Sequence, residues 1–193
     1  GQNGDGSDSS RAYMARCGGT YTEVYRRYDG GYNGSYHTTY RTRMVRIATS
    51  GGQRESSTHS CYSIDEDGYL RSWGYNGYGQ LGDGTATNRS QPTKINRAFF
   101  LNEDIIDMWL CGHTYGRSYF LSATNVLYAC GYNGYGQLGR GSTANQSVPM
   151  PAIGPSGSSA TTTFADTTTK VVKVQIDNAA SYGRSAVLAD DGR

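Results

Sequence analysis

Short apolar or alternating runs, separated by polar, glycine-rich stretches, recur along most of this 193-residue chain. Residues 60–64 (SCYSI) and 69–73 (YLRSW) are two such runs, and residues 65–68 (DEDG) join them. Acidic residues and glycine between two strand-like runs predict a hairpin, because glycine accepts the positive φ of tight turns. No long stretch follows the 3.6-residue period of an amphipathic helix. Together with 27 glycines and 17 tyrosines, this pattern predicts an all-β fold.

The pattern repeats with a long, fixed period. The nine residues GYNGYGQLG occur at 74–82 and again at 131–139, which sets a period of 57 residues. Two proline-containing segments, 88–92 (NRSQP) and 145–149 (NQSVP), follow at the same period. Short apolar runs occupy one slot of three successive units: 44–47, 105–108 and 171–174. A long period with a fixed glycine pattern predicts a solenoid, an array or a propeller.

The shared nine residues predict one tight turn in each unit, with its leucine buried and its glycines in conformations that other residues resist. The predicted turn positions are Gly74, Asn76, Gly77, Gly79, Leu81 and Gly82, and in the next unit Gly131, Asn133, Gly134, Gly136, Leu138 and Gly139. Each block also matches the dinucleotide pattern G-x-G-x-x-G. That motif requires a following helix, and the polar, proline-terminated segment 83–92 cannot form one. No nucleotide cofactor is therefore predicted.

The repeat divides the chain into four segments. Residues 1–42 form a degenerate first repeat rich in Tyr and Gly, and residues 43–103 form the second unit. Residues 104–169 form the third unit, which ends in a Ser/Thr-rich loop at 154–169, and residues 170–193 begin a further one. With about three to three and a half units, an open array exposes its end faces. We expect the chain to be part of a longer polypeptide and to self-associate when expressed alone.

These residues resemble the regulator of chromosome condensation repeat family. The features that carry the resemblance are Trp73-Gly74, NGYGQLG at 76–82, SQP at 90–92, the apolar run at 105–108 and CGH at 111–113. The resemblance is closest over residues 43–153 and weakest over residues 1–42. It implies a β-propeller of about seven four-stranded blades, and it implies that His113 forms a hydrogen bond within its blade.

Composition and charge argue against binding to nucleic acid or to a membrane. The net charge is +2 and charged residues make up 18% of the chain, so no charge excess favours nucleic acid or a membrane surface. No apolar segment is long enough to span a membrane. The arginines within residues 41–46 alternate along one predicted strand, which indicates a solvated edge in preference to a phosphate-binding track.

The four cysteines lack the spacing of a metal site. Cys17 and Cys130 stand where Trp73 stands in the middle unit, which favours buried packing for the cysteines, which are Cys17, Cys61, Cys111 and Cys130; a disulfide among them remains the alternative. Neither the three histidines nor any serine falls in a catalytic or metal-binding motif. We therefore predict a protein that is not an enzyme and has neither a metal nor another cofactor.

Variable connections on a rigid scaffold are the usual place for recognition, and one of them, residues 20–40, is rich in tyrosine. Tyr28, Tyr32 and Tyr36 are the candidate interface residues. The favoured interpretation is a structural, adhesive or receptor-binding module of a surface-exposed assembly, such as a phage virion or tail or a bacterial envelope. Its partners would be proteins, the remaining blades of the same chain or a host surface glycan, and its location the extracellular or virion surface. The alternative is an intracellular protein-binding propeller resembling guanine-nucleotide exchange factors for a small GTPase.

Overall fold

A computed structural model describes residues 21–23, 38–40, 44–50, 58–111, 115–152, 170–176 and 185–190. Its strands are β1 (Tyr21–Glu23), β2 (Thr38–Tyr40), β3 (Met44–Thr49), β4 (Ser60–Asp65), β5 (Leu70–Gly74), β6 (Arg89–Lys94), β7 (Ile105–Cys111), β8 (Arg117–Ser122), β9 (Leu127–Gly131), β10 (Gln146–Pro151), β11 (Val171–Ile176) and β12 (Ser185–Ala189). Within these residues the one helical element is a short 3-10 helix (Arg97–Phe100). The predicted all-β fold is confirmed.

The strands form successive antiparallel sheets of propeller-blade type. Blade A contains strands in the order β3-β4-β5-β6, and blade B contains β7 to β10 in the equivalent order. Strands β11 and β12 form the two-stranded sheet C, and β1 pairs with β2. Blade A thus begins and ends within residues 43–103, and blade B lies within residues 104–169. The loop at 154–169 and most of residues 1–42 lie outside the described residues.

The hairpin between β4 and β5 forms where the sequence predicts it. The amide of Gly68 donates to the carbonyl of Asp65 at 2.9 Å, and Gly68 has a φ of 76°. Asp65 has a further role that its turn position does not suggest, because its buried carboxylate accepts hydrogen bonds from the Arg71 guanidinium at 3.1 and 3.2 Å. The buried pair therefore joins the two strands on either side of the turn.

The first strands of blade A, blade B and sheet C carry the same irregularity. The register shifts at Val45 in β3, at Ile106 in β7 and at Val172 in β11, so one residue of each strand is a β-bulge. All three bulge residues are exposed. Arg46 and Asp107, the residues that follow two of the bulges, form an exposed ion pair at 2.9 Å between β3 and β7. The first strands of neighbouring blades therefore lie side by side.

Two hydrophobic cores lie between neighbouring sheets. The first lies between blades A and B and includes Tyr62, Ile64 and Leu81 from one side and Phe120 and Tyr128 from the other. The second lies between blade B and sheet C and is made of Tyr119, Leu121, Leu127, Ala129, Leu138, Ala152, Val171 and Val174. Alternate residues of β8 and β9 thus face opposite cores, as expected of a sheet buried on both faces.

The described cysteines pack as small hydrophobic residues. Cys61, Cys111 and Cys130 are buried, and Cys17 lies outside the described residues. Burial raises the pKa of the Cys130 thiol far above its usual value. Where the chain is described, no helix has the length and hydropathy of a membrane-spanning segment.

Candidate functional site

The loop that follows the third strand of each blade is built around one asparagine. Asn76 is fully buried; its side-chain amide donates to the carbonyls of Thr85 and Thr87 at 3.0 and 3.1 Å, and its side-chain oxygen accepts from the amide of Leu81 at 2.8 Å. Asn133 repeats this arrangement with Leu138 at 2.9 Å. Because the asparagine satisfies backbone groups on both arms of the loop, it fixes the loop without regular secondary structure.

A buried aspartate in the blade A loop supports the same arrangement. Burial opposes the ionisation of Asp83, but hydrogen bonds from Thr85 and Arg89 outweigh that effect and hold the pKa of Asp83 below its usual value. The Arg89 guanidinium lies 2.7 Å from the carboxylate. The ionised side chain therefore ties the beginning of the loop to the beginning of β6.

The predicted turn glycines have backbone conformations that favour glycine. Positive φ angles occur at Gly74, Gly79, Gly82, Gly131, Gly136 and Gly139. Leu81 and Leu138, at equivalent positions, are fully buried. After each block the chain continues without a helix to β6 or β10, so the nucleotide-binding geometry of the G-x-G-x-x-G motif is absent at both described loops.

A buried tyrosine links each loop to the next sheet. The carbonyl of Gln80 accepts hydrogen bonds from Tyr62 of its own blade and from Ser118 of blade B, the latter at 3.0 Å. One unit later the Tyr119 hydroxyl donates to the carbonyl of Gln137 at 2.6 Å and lies 2.6 Å from the Ser185 hydroxyl of sheet C. The buried tyrosine and the serine thus set the position of each loop against the neighbouring blade.

Five tyrosines at this end of the blades form a continuous cluster, which we call the tyrosine surface: Tyr75, Tyr78, Tyr115, Tyr132 and Tyr135. Tyr78 of blade A contacts both Tyr115 and Tyr132 of blade B, with ring centroids 5.4 and 5.3 Å away. The Tyr115 and Tyr132 centroids are 4.5 Å apart. Four rings are half-buried, and Tyr135 is 56% exposed. The surface therefore crosses the junction between two blades.

Glycines beneath two of these rings explain their placement. A Cβ atom on Gly77 would collide with the Tyr75 hydroxyl, and one on Gly134 would collide with the Tyr132 hydroxyl. Both glycines have ordinary φ values, so a ring lying across the turn is what requires glycine there. The amides of Tyr75 and Tyr132 donate to the carbonyls of His59 and Gly116 at 2.8 and 2.9 Å, which fixes the backbone below each ring.

The tyrosine surface carries no charged side chain in its two loop blocks, 74–82 and 131–139. Partial burial, and then the neighbouring phenols Tyr75, Tyr115 and Tyr132, raise the pKa of Tyr78. The Tyr78 phenol therefore stays neutral at physiological pH. Within the described residues no three His, Cys, Asp or Glu side chains come together as a metal site.

The sequence prediction placed the interface on other tyrosines. Tyr28, Tyr32 and Tyr36 lie outside the described residues, as does His113, so their predicted roles stay predictions. The tyrosine surface was missed, although its signal is present: each GYNGYGQLG block carries two tyrosines at fixed positions beside a turn. The same residues were interpreted only as turn formers.

Comparison with known proteins identifies the repeat. A family model described as "Regulator of chromosome condensation (RCC1) repeat" matches residues 67–115 and 125–175. The ultraviolet-B receptor UVR8 of Arabidopsis thaliana is 35% identical over 107 residues, which cover 54% of this chain and 21% of UVR8. Human protein RCC2 is 35% identical over 108 residues, which cover 56% of this chain and 19% of RCC2. The chain thus spans about a fifth of the length of these two relatives.

A ubiquitin ligase and a solved structure are also similar to parts of this chain. The probable E3 ubiquitin-protein ligase HERC4 of Rattus norvegicus is 33% identical over 92 residues, which cover 48% of this chain but 8% of the ligase. The crystal structure of human WBSCR16 superposes with a TM-score of 0.54 at 22% identity and covers 82% of this chain and 33% of that protein. The first match is too partial to transfer a ligase activity, and the second supports the fold.

Proposed function

Because this chain belongs to the regulator of chromosome condensation (RCC1) repeat family, we propose that it is a non-enzymatic protein-binding module that contacts its partner through the tyrosine surface. The observation that carries the proposal is the continuity of this surface across the junction of blades A and B. Tyrosine is enriched at protein interfaces, since its ring supplies contact area at low entropic cost and its hydroxyl can hydrogen-bond. Backbone hydrogen bonds fix the main chain below two of the rings, and the glycines leave room for those rings across the turn; a main chain that is already fixed lowers the ordering cost of association.

The relatives favour the second of the two functions considered from the sequence. UVR8, RCC2 and HERC4 are named as a light receptor, a member of the repeat family and a probable ubiquitin ligase, and none of these names describes a virion or envelope protein. The adhesive, surface-exposed function rests on composition, and it stays a prediction together with the extracellular location, the glycan partner and the small-GTPase partner.

The proposal is tested by affinity capture with paired variants. We expect Y78A/Y135A to lose the proteins that the wild-type chain enriches, because this variant removes two rings from the tyrosine surface. Tyr69 is the matched control: it is half-buried in blade A beside the 65–68 turn, at the opposite end from the tyrosine surface, and Y69A should retain the captured proteins. Quantitative mass spectrometry measures the enrichment. Capture that survives Y78A/Y135A and fails with Y69A would place the interface elsewhere.

A further inference from the structure

The polar side chains next to the tyrosine surface limit the chemistry of its partner. The two loop blocks carry four amide side chains. Asn76, Asn133 and Gln80 are almost completely buried and hydrogen-bond within the loops. Gln137 is half-buried, and its side-chain oxygen accepts from the amide of Tyr135. A neutral sugar is recognised largely through exposed amide and carboxylate groups that fix its hydroxyls. A cationic side chain would gain from an acidic neighbour, and neither loop block supplies one. The surface therefore offers aromatic faces and phenol hydroxyls.

Three of the five ring contacts are edge to face, and Tyr115 is tilted by 44° to Tyr78 and by 43° to Tyr132. Tyr78 is inclined by 69° to Tyr75 and by 77° to Tyr132, and Tyr135 is inclined by 66° to Tyr132. Centroids of these neighbouring rings are 5.3 to 6.5 Å apart. Rings that meet edge to face in this way form a corrugated aromatic surface. Because Tyr75 and Tyr132 lie across glycines, the corrugation exists before binding.

A polyproline II helix has the complementary properties. Its pyrrolidine rings pack on aromatic faces, its backbone carbonyls have no internal hydrogen-bond donor, and its conformation is largely set before binding. The phenol hydroxyls supply donors for those carbonyls. We propose that the tyrosine surface binds a proline-rich segment of the partner protein in the polyproline II conformation. This inference rests on the proposed protein-binding function and adds the chemistry of the partner.

Fluorescence anisotropy of labelled decaproline with the full chain tests the inference. We expect saturable binding of decaproline and none of a labelled Gly-Ser peptide of equal length. Y78A/Y135A should weaken the affinity by about tenfold or more, as expected for loss of interface tyrosines. Y78F/Y135F keeps the rings and removes two donors, so a smaller loss of about threefold is expected for neutral hydrogen bonds. Y69A should bind as the wild type does, and circular dichroism checks that all variants keep the fold.

The outcomes separate the two proposals. Absence of decaproline binding at about 1 mM, equal binding of the Gly-Ser peptide, or tighter binding of a trimethyllysine peptide or of maltoheptaose overturns the polyproline inference. If decaproline fails to bind while Y78A/Y135A still loses the captured proteins, the protein-binding function stands and the partner chemistry is wrong. If Y78A/Y135A retains both decaproline and the captured proteins, the tyrosine surface is not the interface.

Discussion

Gly79 and Gly136 hold the same place in the two nine-residue blocks, with φ of 79° and 75°, but their surroundings differ. A Cβ on Gly79 would lie 2.5 Å from the Cα of Ser147 in blade B, whereas the nearest atom to a Cβ on Gly136 is the carbonyl oxygen of Ser142 at 3.9 Å. Gly79 therefore meets two demands, a left-handed backbone and a close approach of two blades. Gly136 meets the first alone among the described contacts.

Alanine at these two glycines should separate backbone strain from the contact between blades. Both G79A and G136A should lose about 1–2 kcal/mol from the strained φ. G79A should lose a further 1–3 kcal/mol or so, because the added methyl group collides with backbone atoms that cannot rotate away. Chemical denaturation of both variants measures the difference in the free energy of unfolding. Equal losses would mean that the blades separate easily at this point.

For two buried tyrosines of the same core, we expect removal of the hydroxyl to change the free energy of unfolding in opposite directions. Tyr62 and Tyr128 are both fully buried, but the Tyr62 hydroxyl bonds the Gln80 carbonyl and lies 2.9 Å from the Ser118 hydroxyl. The Tyr128 hydroxyl has no hydrogen-bond partner among the described residues. We expect Y62F to lower the free energy of unfolding by about 1–2 kcal/mol and Y128F to raise it by about 1 kcal/mol at neutral pH. Urea denaturation of both variants measures these two changes. A destabilised Y128F would indicate a hydrogen bond at the Tyr128 hydroxyl.

Tyr128 also predicts a loss of stability at alkaline pH. Burial, reinforced by the charge of Glu103, raises the pKa of Tyr128 from 10.0 to about 12. Tyr128 therefore ionises at a lower pH in the unfolded chain than in the folded chain. Its contribution to stability is complete below about pH 10 and is lost as the pH rises from about 10 to 12. Between these two values the free energy of unfolding falls by about 1.4 kcal/mol per pH unit. The free energy of unfolding, obtained from denaturation curves at pH 9, 10 and 11, should fall less steeply with pH for Y128F than for the wild type. Parallel curves would contradict the raised pKa.

At the scale of elements, the loop is stabilised chiefly by Asn76. We expect N76A to lower the free energy of unfolding by about 3 kcal/mol, because several buried backbone groups lose their partner at about 1 kcal/mol each. Asn88 is the control: it is exposed and accepts one hydrogen bond, from the amide of Asn76 at 2.8 Å, so N88A should cost about 1 kcal/mol or less. Thermal unfolding of the two variants measures the contrast. A mild N76A would show that the glycines alone determine the loop.

The sequence predicted elements whose causes are local. The turn at 65–68 and the loop blocks follow from glycine conformations and from asparagine contacts within 12 residues along the chain. The tyrosine surface joins Tyr78 to Tyr132 across a blade junction, and no local pattern reports which rings meet there. The sequence placed Asp65 in a turn, but the buried ion pair that it forms with Arg71 of the same hairpin has no signal in the pattern. For the tyrosine surface, packing between the blades decided what sequence analysis missed.

At the scale of the whole molecule, adjacent residues of β8 belong to different interfaces between sheets. Phe120 packs in the core between blades A and B, and Leu121 packs in the core between blade B and sheet C. In a repeat protein the coupling is between nearest neighbours, so a cavity should act mainly across the interface it faces.

Hydrogen exchange of two neighbouring variants tests this coupling. F120A should cost about 3–5 kcal/mol and raise the exchange of β4 and β5 in blade A. L121A should cost about 2–5 kcal/mol and raise the exchange of β11 while leaving β4 and β5 protected. Mass spectrometry of peptides from each strand resolves the two patterns. Identical exchange profiles would show one cooperative unit in place of coupled neighbours.

The nine residues that make each turn also carry the two tyrosines displayed beside it. The same residues therefore determine both the fold of the turn and the exposure of its tyrosines. Tandem duplication of one unit adds another pair of tyrosine rings next to the pair of the preceding unit. Lengthening such an array raises its valency for a repetitive ligand, so that avidity increases with copy number before any single contact improves.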